Sequence, residues 1–150
     1  MFRGVNTLNL DAKGRLAIPT RYREPLRQRC DGQLILTTDL DRCLLLYPLP
    51  EWEEIEYQLM RLSAFDKKVR EVQRLLVGHA TECELDGNGR ILLPPLLREF
   101  ARLEKRVVLL GQGKKFEIWD EVAWNQRQEA LEGEGLGDLM QGAGLENIAL

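Results

Sequence analysis

Leu10-Asp11-Ala12-Lys13-Gly14-Arg15-Leu16-Ala17-Ile18-Pro19 returns, at a constant offset of 75 residues, as Leu85-Asp86-Gly87-Asn88-Gly89-Arg90-Ile91-Leu92-Leu93-Pro94. The match runs on to Arg23 and Arg98, and Leu44-Leu45-Leu46-Tyr47 with Trp52 is echoed by Phe116-Glu117-Ile118-Trp119 with Trp124. One module is therefore written twice, over 5–52 and 80–124. Between the copies, 53–79 reads as a helical connector; 125–150 reads as the end of a helix and a Gly-rich acidic tail.

Each copy predicts strand, tight turn, strand, short helix and a second hairpin. In the first, Val5 to Leu10 leads through Ala12-Lys13-Gly14 into Arg15 to Ile18. A three-residue loop wants a left-handed residue last, and Gly14 and Gly89 supply it. Pro19 and Pro94 end the ladder because proline cannot donate to it. Pro25 is expected to limit the first helix to a turn or two, or to kink it. Leu34 to Thr38 with Cys43 to Tyr47, and Val107 to Gly111 with Phe116 to Trp119, form the second hairpins.

In the connector Ile55, Leu59 and Leu62 share one helical face, and Phe65, Val69, Val72 and Leu76 another. Ser63 and Asp66 have capping-box spacing, so two helices meet there. Core packing is the expected role of these stripes. A module of roughly 45 residues buries too little to stand alone, so the two copies are expected to share one core as a pseudo-symmetric pair.

Composition narrows the class. The chain has 150 residues, 44% apolar and 30% charged, as in soluble globular proteins. Its apolar runs are too short to span a bilayer, and the opening residues lack the apolar core of a signal peptide. The net charge is −3, yet residues 1–30 carry seven basic side chains against two acidic ones, the surplus an anion-binding face needs.

Enzyme signatures fail in turn. There is one histidine, His79, and no G-x-S-x-G. Gly111-Gln112-Gly113-Lys114 lacks the earlier glycine of a phosphate loop, which would fall at Val108. Asp86-Gly87-Asn88-Gly89-Arg90 starts like a calcium loop, but Arg90 and Ile91 stand where it needs an acid and a glycine. Cys30, Cys43 and Cys83 with His79 lack the paired spacing of a zinc site, so reduced thiols and no metal or cofactor are expected.

The candidates are the Asp11…Arg15 and Asp86…Arg90 pairs. Read alone, each is a cross-strand ion pair closing a hairpin. Lys13 at the tip, with Arg3, Arg21, Arg23 and Arg27 nearby in sequence, favours DNA binding. An arginine on a rigid turn is pre-positioned for bidentate contact with phosphate or guanine.

Met1-Phe2-Arg3-Gly4, the stretch Asn9 to Arg23, the stretch Cys83 to Arg98 and Lys115-Phe116-Glu117-Ile118-Trp119-Asp120 together resemble the bacterial MraZ family. The resemblance covers nearly the whole chain. It implies tandem SpoVT-AbrB-like domains forming an α+β, pseudo-two-fold, swapped-hairpin double-split β-barrel with added helices. It also implies a DNA-binding transcription regulator, a repressor, acting on direct repeats upstream of its own cell-division and cell-wall gene cluster. A ring-shaped homo-oligomer, cytoplasmic and nucleoid-associated, is implied as well, with no membrane and no small-molecule substrate. Carried over by position, Arg15, Lys13, Arg3, Arg90 and Asn88 are the expected DNA contacts, and Asp11 and Asp86 orient their arginines. The competing expectation is a protein-interaction hub that sequesters a partner through the connector helices.

Overall fold

A computed structural model describes residues 1–149; Leu150, the end of the expected tail, lies outside them. The first half runs β1 (Phe2–Asn9), β2 (Arg15–Ala17), α1 (Thr20–Cys30), β3 (Gln33–Thr38) and β4 (Leu44–Pro48). After α2 (Leu49–Met60) and α3 (Lys67–Leu76) the same order returns: β5 (Thr81–Glu84), β6 (Arg90–Leu92), α4 (Pro95–Phe100), β7 (Arg106–Gly113) and β8 (Lys115–Asp120). Two further helices follow, α5 (Glu121–Leu131) and α6 (Leu136–Gly142). The fold is α+β: an open, antiparallel six-stranded sheet in the order β1-β7-β8-β4-β3-β5, and a separate two-stranded ribbon of β2 and β6.

The first strands do not pair with their own neighbours as the hairpin reading expects. Only Leu10 and Leu16 bridge the arms, with Asp11 N–H on the Arg15 carbonyl at 3.0 Å. Beyond that point β1 joins β7 of the second repeat, β5 joins β3 of the first, and β2 pairs with β6. The reason is burial. A lone hairpin would leave Leu16 and Ile91 in water, whereas the exchange leaves them 0% and 1% exposed. Fully burying such a side chain contributes about 1.5–3 kcal/mol.

The ribbon is closed reciprocally. Ile18 N–H donates to the Gly89 carbonyl and Leu93 N–H to the Gly14 carbonyl, both at 2.9 Å. Gly14 and Gly89 take the left-handed φ values of 81° and 75° that the loop demands. Each also lies under an arginine of the opposite repeat, Arg98 over Gly14 and Arg23 over Gly89. Those arginines are fixed by Nε–H donation to Leu93 O (2.9 Å) and Ile18 O (2.7 Å).

One core joins Leu16, Ile18, Leu26, Leu36, Leu46, Leu93, Leu97 and Phe116 from both repeats. A smaller cluster on the other side of the sheet holds Cys43, Leu45, Val108 and Trp119. The aromatic pairs that mark the repeat touch, with Tyr47–Trp52 and Trp119–Trp124 ring centroids 5.7 and 5.8 Å apart. Helix α1 is not cut to a turn or two: it runs on through Pro25 for 11 residues. The proline forfeits one helical hydrogen bond, while Tyr22 and Leu26 on either side of it are buried and hold the helix.

The connector also departs from its reading. Its helices do meet near Ser63, but Asp66 caps α3, accepting from Lys68 N–H (2.8 Å) and Val69 N–H (3.4 Å). Helix α3 is anchored at its C-terminal end, where Thr37 and Thr38 of β3 donate their hydroxyls to the Leu76 and Leu75 carbonyls. Its apolar stripe is core only at one end: Leu76 packs half-buried against the smaller cluster and Val69 is half-buried, while Val72 is exposed, as are Leu62 and, at 95%, Phe65 just before the helix. The acidic tail carries α6, which buries nothing.

The repeat supplies its own stability test. Gly87 has open space around its Cα and stands where the first copy has Ala12, whereas a Cβ on Gly89 would meet Arg23 Nε at 2.2 Å. Gly87→Ala is expected to stabilise the protein by about 0.4–1 kcal/mol. Gly89→Ala is expected to cost at least about 1–3 kcal/mol through backbone strain. Urea melts of the two variants check the contrast, and equal effects would overturn the packing described.

Candidate nucleic-acid interface

Asp11 organises its own loop. Its Oδ1 accepts from the N–H groups of Lys13 (2.9 Å) and Arg15 (2.8 Å), and its Oδ2 from Arg15 Nε–H (2.7 Å). Gly14 N–H closes the loop on the Asp11 carbonyl at 3.0 Å. The second turn repeats the pattern. Asp86 Oδ1 accepts from Asn88 N–H (2.8 Å) and Arg90 N–H (2.9 Å), and its Oδ2 from Arg90 Nε–H at a longer 3.3 Å. Donation from the Arg15 N–H, together with the other N–H groups and the guanidinium, holds the Asp11 carboxyl down to about 2. Asp86 is lowered by the matching bond from Arg90.

Each guanidinium commits only its Nε to the turn. Both Nη groups of Arg15 and of Arg90 are without a protein acceptor among the described residues, and each side chain is 30% exposed. The ribbon register pairs Arg15 with Leu92 and Ala17 with Arg90, while Leu16 and Ile91 point into the core. Arg15, Ala17, Arg90 and Leu92 thus share the outer face, and the two arginines are diagonal neighbours, a spacing of roughly 7–8 Å. Lys13 and Asn88 are exposed on the two loop tips. The arrangement can present two fixed, two-pronged cations side by side to an anion.

The other expected cations separate from this cluster. Arg3 lies near the opposite end of β1, paired with Gln112. Asn9, at the ribbon end of the strand, is six residue steps further on, a span of roughly 20 Å. Arg23 braces Ile18, Arg27 Nη2–H donates to the Asp86 carbonyl at 2.9 Å, and Arg21 Nη2–H to Asn6 Oδ1 at 2.8 Å. Arg27 is thus a support of the second turn that sequence reading missed. The thiols are free, with burial pushing Cys83 up to about 11 and Cys43 higher still. Asp39, Cys43 and Glu117 approach one another within 4.8 Å, whereas His79 Nδ1 lies 3.0 Å from the Leu75 carbonyl. No helix among the described residues is long and apolar enough to cross a membrane.

The duplicated fold thus fixes two arginine turns on one outward ribbon. The family described as "MraZ protein, putative antitoxin-like" matches residues 1–75 and again 76–145, and the chain belongs to this family. It is 62% identical to the transcriptional regulator MraZ of Methylococcus capsulatus over 93% of this chain and 94% of that one. Identity is 65% to the regulator of the same name from Thioalkalivibrio sulfidiphilus, over 83% of each chain. To that of Halorhodospira halophila it is 55% over the full length of both. The family is one of transcription regulators, not of enzymes.

The Asp11 carboxyl is expected to titrate near pH 2 by NMR, below the ordinary 3.8. Because the folded value is the lower one, the stability it contributes is complete above about 3.8 and is lost as pH falls towards 2. A midpoint at or above 3.8 would contradict the turn geometry.

Proposed function

We propose that this chain is a sequence-specific DNA-binding repressor that acts through the β2–β6 ribbon. Its targets are direct repeats upstream of its own cell-division and cell-wall gene cluster. The observation that carries the reading is the pair of arginines oriented by Nε alone, with their Nη groups uncommitted. A two-stranded ribbon fits the major groove, and a guanidinium with two free N–H edges suits guanine or phosphate. Arg15 makes the leading contact, Lys13 meets phosphate, and Arg90 with Asn88 forms a weaker second prong. Arg3 stands outside this cluster. The transcriptional regulators to which the chain is similar support a role in transcription.

The same proposal reads 5–52 and 80–124 as two AbrB-like modules making a swapped-hairpin double-split barrel. The exchange of β1 and β5 between the repeats supports it. The protein is cytoplasmic, nucleoid-associated and assembled into a ring. The uncovered connector stripe, with Phe65 and Leu62 exposed, supports self-association. That stripe also favours the alternative of a hub binding a partner protein, a reading under which interaction would be indifferent to salt.

Titration of variants against operator and random duplex at two salt concentrations tests the interface. Arg15→Ala should leave the melting temperature nearly unchanged and weaken operator binding by about 1–3 kcal/mol per contacting site. Lys13→Ala should weaken all sequences alike and flatten the salt dependence. Arg90→Ala should lose less than Arg15→Ala. Operator binding by Arg15→Ala at the level of the parent protein would overturn the assignment.

Light scattering tests assembly. The parent chain should exceed a dimer, and Phe65→Asp with Leu62→Asp should lower the mass while the fold persists. A parent particle of 17.3 kDa would defeat the proposal.

A further inference from the structure

At the end of β1 remote from the ribbon lies a cleft of about 710 Å³, within the range of small-molecule sites. One wall comes from α1, whose Arg21, Pro25, Gln28 and Arg29 fall on one face at three- and four-residue steps. The β7–β8 loop adds Lys114, and β1 adds Arg3. Among the described residues no carboxylate pairs with Arg3, Arg21 or Lys114, in a protein of net charge −3. Arg29 alone is neutralised, donating from Nη2 to Glu51 Oε1 at 2.6 Å.

The floor is fixed. Tyr22 OH accepts from Arg21 Nη2–H at 2.8 Å and donates to the Arg3 carbonyl, and Phe2 stacks on Phe116 with centroids 4.4 Å apart. Phe2, Pro25 and Pro48 make the apolar sides. Glu51 Oε2 is buried in the same lining with no hydrogen-bond partner, an acceptor that calls for a donor.

We propose that this cleft binds a nucleotide. Its phosphates meet Arg3, Arg21 and Lys114, its flat base lies against Phe2, Pro25 and Pro48, and an N–H of the base donates to Glu51 Oε2. The site is separate from the ribbon, so the proposal does not depend on the DNA reading. Charge-assisted contacts to three cations supply affinity; the aromatic and proline walls and the single acceptor distinguish a nucleotide from a bare phosphate.

The full-length protein titrated with magnesium-free ATP, pyrophosphate and adenosine, by calorimetry and thermal shift, tests this. ATP should bind saturably and raise the melting temperature, pyrophosphate should bind more weakly, and adenosine should not bind. Lys114→Ala and Arg3→Ala, whose side chains make no hydrogen bond among the described residues, should each weaken ATP by roughly ten- to hundredfold. Arg15→Ala should bind ATP as the parent does. Absence of ATP binding, equal binding of pyrophosphate and ATP, or loss in Arg15→Ala but not in Lys114→Ala overturns the proposal. An ATP analogue lacking the exocyclic amine should bind less well, and equal binding would remove Glu51 from the site.

Discussion

Two backbone hydrogen bonds, Ile18 N–H to Gly89 O and Leu93 N–H to Gly14 O, tie the turn of each repeat to the strand end of the other. Everything else follows from that exchange. A three-residue strand cannot hold itself flat, but two of them, closed at both ends by the opposite loop, make a ribbon with one apolar face. Burying Leu16 and Ile91 then forces β1 and β5 outward to the far edges of the sheet. The order β1-β7-β8-β4-β3-β5 reads the same when the repeats are exchanged, as two half-cores sharing one interior require.

The constraint that closes the fold also sets the candidate interface. The loop that offers its glycine carbonyl to the other repeat is the loop that Asp11 or Asp86 cross-links from within. Arg15 and Arg90 therefore stand on backbone fixed from both sides, and little conformational freedom is left for an anion to freeze out on binding. Arg23 and Arg98 serve the scaffold, each spread over a glycine that no larger residue could replace without moving it. Identical chemistry thus splits into two roles by position. The arginine whose Nε meets a loop carboxylate presents its Nη groups to solvent; the one whose Nε meets the carbonyl just past a ribbon strand lies over the opposite loop's glycine.

Much of this was legible in the sequence, because the offset of 75 residues ties Gly14 to Gly89 and Arg15 to Arg90 whatever the strands do. Periodicity and turn chemistry are local, and they located the elements well. Partner choice is not local. Val5 to Leu10 reads as one arm of a hairpin, and nothing in its alternation says that β7 takes the place of β2. Pro25 does not shorten α1 for a related reason: a single lost hydrogen bond is outweighed by tertiary burial of Tyr22 and Leu26. The connector stripe has the spacing of core, and only the topology shows that the sheet's covered area ends near Leu76. The cleft was hidden because Arg3, Arg21 and Lys114 come from three elements that no short motif joins.

The departures from symmetry are as informative as the symmetry. The repeats differ at the loop tips, Lys13 against Asn88, and in the grip of each carboxylate on its arginine, 2.7 Å against 3.3 Å. A ribbon with two equal prongs would present the same face in either orientation and would suit a palindromic site. With one charged and one neutral tip, the proposed interface has a direction. A duplex laid across it meets the stronger prong at one end, so successive subunits of a closed assembly would favour sites that follow one another head to tail. Under the proposed function, the Lys13–Asn88 difference at the tips would favour direct rather than inverted DNA repeats.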